Sequence, residues 1–242
     1  MSSRAAASVT AVIAAAGSGE RLGAGGPKAF VPVAGRPMVE WSIAAMRAVA
    51  GVRSIVVACP PGHVHDLASH DLDLVDGGAT RAQSVANALA VVGSELVAIH
   101  DAARPLVTPE LIDGVVATLA ADPEADGAIA AVPVTDTIKR ARAEHLSPFD
   151  AHRVNNTTEV EATVDRGRLW AAQTPQVFRV DALRRALAAD PAQIESATDE
   201  ATMVEAAGGR VLIHPASPEN LKVTTPLDMK LAELLLDAPA SS

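Results

Sequence analysis

Short apolar runs alternate along this chain with stretches of helical spacing. Val9-Thr10-Ala11-Val12-Ile13 predicts a buried first strand, and Ala14-Ala15-Ala16-Gly17-Ser18-Gly19 behind it is too small and glycine-rich to continue a sheet. Pro37 stands where a first-turn proline belongs, ahead of a helix carrying Met38, Val39, Trp41, Ala44, Ala45, Ala48 and Val49. A second strand covers 54–59 and stops at Pro60-Pro61-Gly62, and a short one at 72–75 ends at Asp76-Gly77-Gly78. A helix over about 80–92 places Val85, Leu89 and Val92 on one face. After a strand at 96–100, Thr108-Pro109-Glu110 opens a helix to about Leu119, with a hydroxyl cap, a first-turn proline and an acid at the positive end of the dipole. Residues 127–134 again read as strand. This βα rhythm predicts a three-layer αβα fold around a mostly parallel, twisted, Rossmann-like sheet.

One segment breaks the rhythm. From 141 to 156 the chain is polar, with Pro148 and the pair Asn155-Asn156, and both flanks read as extended: Val134 to Lys139, and Val160, Ala162 and Val164 alternating with polar neighbours. Two readings stand: a freely varying solvent loop, or a two-stranded β-arm at about 135–165. An isolated hairpin is marginal in water, so an arm needs a packing partner, and a second subunit is the natural one. The last third predicts an extended run at 171–178, helices at 181–188 and from Asp199-Glu200, and a strand at 210–214. A final helix opens at Thr225-Pro226-Leu227-Asp228, with Asp228 at the acidic place of a capping box. The tail at 237–242 should fray. No repeat or linker splits the chain, so residues 1–242 are expected to form a single domain carrying the arm.

Composition narrows the classes. A chain of 242 residues that is 49% hydrophobic and 20% charged folds around a core rather than staying disordered. A formal charge of −9 argues against nucleic acid as a partner. Cys59 is the single cysteine, so no internal disulfide framework or multi-cysteine metal site exists, and its apolar run makes it a packed strand thiol. The basic region before Val9 is too thin for a secretory signal, and no run is long enough to span a membrane, so a cytoplasmic protein with no membrane partner is expected.

The loop after the first strand carries the chemistry. Gly17-Ser18-Gly19-Glu20-Arg21-Leu22-Gly23 misses the dinucleotide fingerprint because Leu22 stands where its last glycine belongs. It misses the P-loop too, since the lysine arrives late in Gly26-Pro27-Lys28 with no hydroxyl behind it. What remains is backbone that a ligand can approach closely, followed by the cations Arg21 and Lys28. A polyphosphate site accounts for this, and a plain flexible loop is the alternative. Asp101, directly after a buried strand, sits at the edge where open α/β sheets bind ligands, and contacts a ribose or metal-bound phosphate or else caps its loop. His63, His65 and His70 match no common zinc spacing and read as a solvated helix face.

Taken in order, these segments resemble the 2-C-methyl-D-erythritol 4-phosphate cytidylyltransferases of the non-mevalonate isoprenoid pathway. The resemblance rests on Ala14-Ala15-Ala16-Gly17-Ser18-Gly19-Glu20-Arg21, Pro27-Lys28, Gly77-Gly78-Ala79-Thr80-Arg81-Ala82-Gln83-Ser84-Val85 and His100-Asp101-Ala102-Ala103-Arg104-Pro105. It continues through Pro133-Val134-Thr135-Asp136-Thr137-Ile138-Lys139, Thr163-Val164-Asp165-Arg166, Thr174-Pro175-Gln176 and Asn220-Leu221-Lys222-Val223-Thr224, and so covers nearly the whole chain.

The resemblance implies a nucleotidyltransferase fold and transfer of CMP from CTP to 2-C-methyl-D-erythritol 4-phosphate, with release of pyrophosphate. It implies catalytic roles for Arg21, Lys28, Arg166 and Lys222. The CTP surface falls on Ala15, Ala16, Gly17, Gly78 and Ser84, and the remaining substrate contacts on Asp101, Arg104, Thr137 and Thr174. Mg²⁺ is implied as cofactor, bound mainly through CTP phosphates with Asp101 as the candidate carboxylate. A homodimer through the arm is implied as well, with Arg166 delivered to the neighbouring site. A phosphate nucleophile is ionised at neutral pH, so no histidine base is needed. Ala79 stands where relatives often carry an acid, which loosens the expected reading of the base edge. The short tail leads us to expect no fused second enzyme. The rival readings are transfer to a sugar 1-phosphate or a polyol phosphate, and a non-enzymatic nucleotide sensor on the same fold.

Overall fold

Strand β1 (Val9–Ala14) lies inside a seven-stranded sheet with β4 (Val52–Cys59) on one side and β6 (Leu96–Asp101) on the other, both parallel to it. The computed structural model describes residues 8–17, 26–63, 67, 71–142, 158–188 and 197–237. Arg21, His65, His70, the polar stretch 143–156 and the tail from 238 lie outside them.

Beyond β4 the sheet adds β5 (Asp73–Asp76). Beyond β6 come β10 (Trp170–Arg179), β7 (Gly127–Pro133) and β11 (Val211–Pro215). β10 runs antiparallel to β6, with Gln176 opposite Ile99, so the sheet is mixed but mostly parallel. Alternation along β1 builds two cores. Ala11 and Ile13 join Ile55 and Val57 against Val39, Ile43 and Met46 of α1 (Met38–Arg47) and Ile112 of α3 (Pro109–Ala121). Val12 joins Val56, Val97 and Ile99 against α2 (Arg81–Leu89), α4 (Val180–Leu187) and α5 (Glu200–Ala206). A strand whose successive residues are buried on opposite faces needs helices on both sides, which gives the three layers.

The two expected caps hold: Thr108 accepts from the backbone N–H of Leu111, and Thr225 accepts from that of Asp228 at the start of α6 (Pro226–Asp237). Thr80 and Asp199 cap in the same way, accepting from the N–H of Gln83 and Thr202. Asp228 accepts in return from the N–H of Thr225, which completes the capping box.

Pro37 corrects one expectation. It precedes α1 and closes a small hairpin, β2 (Pro32–Val33) with β3 (Arg36–Pro37), rather than filling the first helical turn. Ala34 (φ 48°) and Gly35 (φ 74°) form its two-residue turn, both in the left-handed region that a tight hairpin requires. Among the described residues no helix is long and apolar enough to cross a membrane.

The chain divides into two compact units, Met1–Ala131 with Ala172–Ser242, and Val132–Ala171. The second unit contains the antiparallel pair β8 (Lys139–Ala141) and β9 (Val160–Thr163) at the base of the expected arm. The ladder is shorter than its flanks suggest, because residues 134–138 form no strand. Nearly every residue of the pair is exposed, so no buried face extends the pairing.

Candidate active site

The end of β1 is a topological switch point. Ala14 pairs with Ala58 on one side and Asp101 on the other, and the chain leaves the sheet there into the glycine-rich loop. The Ala15 N–H donates to Ala58 O at 3.0 Å, and the Lys28 N–H reaches back to Gly17 O at 3.3 Å, which ties the two ends of the loop together. Beside it runs the loop after β5. A Cβ at Gly77 would lie 2.3 Å from the Ala16 Cβ and 3.0 Å from Cys59 O, so glycine is what lets the two loops touch. Gly78 N–H donates to Ser84 Oγ at 3.0 Å, and that hydroxyl donates to Thr80 O at 2.9 Å. Gln83 Oε1 accepts from the Ala79 N–H at 3.0 Å, so a side chain from α2 steadies the loop.

Asp101 is the electrostatic centre. Its Oδ1 accepts from Arg81 Nε at 2.9 Å and its Oδ2 from Lys222 Nζ at 2.6 Å. Burial pushes the carboxyl up, but the two cations outweigh it and hold Asp101 well below the ordinary carboxylate range. Arg81 also pairs through Nη1 with Glu200 Oε2. Glu200 is wholly buried in the first turn of α5, and burial raises its carboxyl against the opposing pull of Arg81. Lys222 is the outer end of this row, with 42% of its side chain exposed.

A second chain of hydrogen bonds holds Asp101 from behind. His100 Nε2 faces the carbonyl of Arg104 at 3.2 Å and therefore carries the proton; Nδ1 is left as the acceptor for the Thr174 hydroxyl at 3.0 Å. Thr174 Oγ1 in turn accepts from the Asp101 N–H at 3.1 Å. Burial above all pushes His100 down to about 4, which keeps it neutral. Arg104 is buried, which lowers its pKa from the ordinary value, and its Nη1 donates to Asn220 O at 2.7 Å. Asn220 Nδ2 donates to Thr174 O at 2.9 Å. The antiparallel run of β10 is what brings Thr174 to this edge.

Of the residues read from sequence, Ala15, Ala16, Gly17, Lys28, Gly78, Ser84, Asp101, Arg104, Thr174 and Lys222 lie in the larger unit, at or next to the carboxyl edge. Thr137 and Arg166 lie in the smaller unit, where Arg166 Nη1 donates to Thr135 O. Arg21 lies outside the described residues. Neither Arg81 nor Glu200 has a role legible in the sequence: Arg81 sits inside the Gly77–Val85 motif, and Glu200 marks only a helix start. Among the described residues no three His, Cys, Asp or Glu side chains group to hold a metal.

A glycine-rich loop at a switch point beside a lysine poised on a buried acid defines an α/β enzyme of the nucleotidyltransferase class. The chain matches the model of the 2-C-methyl-D-erythritol 4-phosphate cytidylyltransferase (IspD) family over residues 9–238 and belongs to that family. It is 40% identical over 240 residues to the 2-C-methyl-D-erythritol 4-phosphate cytidylyltransferase of Saccharopolyspora erythraea, covering 95% of this chain and 99% of that protein. To the enzyme of the same name from Azoarcus it is 41% identical, covering 94% and 93%. Its fold is similar to the crystal structure of the Thermus thermophilus enzyme, with a TM-score of 0.75 at 31% identity over 94% of this chain and 98% of that one. The Francisella tularensis enzyme gives a TM-score of 0.77 at 26% identity over 94% and 99%. The chain is thus an enzyme, a cytidylyltransferase of isoprenoid synthesis that moves CMP from CTP to 2-C-methyl-D-erythritol 4-phosphate and releases pyrophosphate.

Proposed function

We propose that the reaction runs on the carboxyl edge of β1 and β6, with CTP on the glycine loop and the acceptor phosphate at Lys222. The supporting observation is the Asp101–Lys222 contact of 2.6 Å beside the end of β1, which holds an ammonium at the sheet's switch point. The backbone of Ala15, Ala16 and Gly17, with Gly78 and Ser84, receives the cytidine. Arg21 and Lys28 draw charge from the triphosphate. Lys222 holds the methylerythritol phosphate together with Thr137 and Arg166 from the arm of a second copy, and the phosphate oxygen attacks the α-phosphorus as pyrophosphate leaves.

Both reactants are anionic, so neutralising their repulsion and aligning them in line is most of the catalytic work. Thr174 and Arg104 serve by fixing Asp101 and the loop before Lys222. No general base enters, which agrees with a neutral, internally bonded His100.

A Mg²⁺ ion fits this donor set only if CTP supplies most of its ligands, because both oxygens of Asp101 already meet cations and no three acids, histidines or cysteines group among the described residues. Bound there, it neutralises phosphate charge. We assign the arm to a homodimer contact that carries Arg166 to the neighbouring site. Light scattering on a variant lacking residues 142–156 tests that contact: loss of the dimer supports it, and a fully active dimer contradicts it. The substrate reading is tested by pyrophosphate release from CTP, UTP and GTP with methylerythritol phosphate, ribitol 5-phosphate and sugar 1-phosphates, with Mg²⁺ and with chelator. Release confined to CTP, the methylerythritol acceptor and Mg²⁺ is expected. A preference for a sugar 1-phosphate overturns it.

A further inference from the structure

We propose that Glu200 is a positioning residue for the acceptor end of the reaction, acting through Arg81 and Asp101 on the ammonium of Lys222. The inference rests on the reading of Lys222 given above. Four charges stand in one row: Glu200, Arg81, Asp101 and Lys222, alternating in sign and summing to zero. The two ends differ most in exposure, with Arg81 at 27% and Asp101 at 10% between them. The Glu200 side chain is 0% exposed and that of Lys222 42%, so the row leads from the interior to the reacting edge.

The buried end is held firmly. Gln176, itself buried on β10, donates from Nε2 to Asp199 Oδ2 at 2.8 Å and accepts at Oε1 from the Ala201 N–H at 3.3 Å. Both neighbours of Glu200 are thereby pinned to the sheet.

Stability does not explain this carboxylate. A buried ion pair is often no better than apolar residues of the same volume, and Glu200 Oε1 meets no hydrogen-bond partner among the described residues. What Glu200 supplies is a counter-charge that divides the Arg81 guanidinium between two acids. Without it, Arg81 turns its whole charge on Asp101 and loosens the hold of Asp101 on Lys222. Glu200 touches neither substrate. Its removal therefore acts where Lys222 acts, on the acceptor, and leaves CTP binding nearly unchanged.

The test is steady-state kinetics on Glu200→Gln, which keeps an acceptor for Arg81 without the charge, and on Glu200→Ala, each alone and with Lys222→Ala. Unfolding midpoints are measured alongside. The expected result is a KM for methylerythritol phosphate raised about threefold by Gln and about tenfold by Ala, with the KM for CTP within twofold of the parent. In the Lys222→Ala background, Glu200→Ala then adds less than twofold. Equal changes in both KM values, or a full further tenfold loss on top of Lys222→Ala, overturn the inference. Should Glu200→Ala not fold, the Gln variant decides by the same KM split. If Lys222→Ala alone leaves the acceptor KM untouched, the reading of Lys222 fails first. If Lys222→Ala acts and neither Glu200 variant does, the inference alone fails.

Discussion

Asp101 and Lys222, separated by 121 positions in the chain, meet at 2.6 Å on the carboxyl edge of the sheet. The acid ends a central strand and the lysine follows the loop anchored by Asn220, so the contact exists only when that loop is docked at the strand's end. Replacing Lys222 with Ala removes the ammonium and leaves Asp101 to Arg81 alone. Charge-assisted hydrogen bonds of this kind contribute about 1.5–3 kcal/mol, or roughly 10- to 150-fold. Initial-rate kinetics should show kcat/KM for the acceptor reduced by that factor, with the CTP term much less affected.

Thr174 should matter more than its modest hydroxyl suggests. Thr174→Ala strands the buried Asp101 N–H and His100 Nδ1, and a stranded buried group costs about 1–3 kcal/mol. Denaturant unfolding should report a loss of that size. Thr174→Ser, which keeps the hydroxyl, should recover most of it.

The contact between the two loops predicts a contrast between glycines. Gly77→Ala drives a methyl into the Ala16 Cβ and the Cys59 carbonyl, neither of which can swing aside. Overpacking of this kind destabilises by about 1–3 kcal/mol, and CTP affinity should fall with it. Gly93→Ala meets nothing within 4 Å, so thermal melting and CTP titration should both stay near the parent.

His100 gives stability a pH dependence. Its folded value of about 4 lies below the ordinary 6.5, so between these values the unfolded chain binds a proton that the folded chain refuses. Stability therefore falls as pH drops from 6.5 towards 4, by roughly 3–3.5 kcal/mol from this group, and no further below it. Asp101, held low, adds a separate loss that begins only as pH falls through the ordinary carboxylate range. Unfolding free energies at pH 8, 6 and 4.5 should fall more steeply for the parent than for His100→Asn.

Much of this fold is written in local pattern. Runs such as 96–100 and caps such as Thr108-Pro109 act within a few residues, and they give strands and helix starts that the structure reproduces. The hairpin at Pro32–Pro37 is illegible because Ala34-Gly35 lacks the usual turn asparagine, and because a proline ahead of a helix resembles one inside it. The site divides the same way. Lys28 and Asp101 announce themselves by following strands and glycines, and Lys222 by a motif. Arg81 and Glu200 have no local signal, since their pairing spans 119 positions and depends on α2 and α5 packing on one face of the sheet. A charge that will be buried looks, in sequence, like any solvated one.

The central claim is that fixed cations hold two mutually repelling phosphates together at this edge. Its most direct measurement is kcat for pyrophosphate release by Lys28→Ala at saturating CTP and acceptor, with the melting curve checked against the parent. Loss of one donor to a developing charge is worth about 2.7–4 kcal/mol, so kcat should drop about a hundredfold or more while the fold persists. A folded Lys28→Ala enzyme turning over at the parent rate would contradict the account.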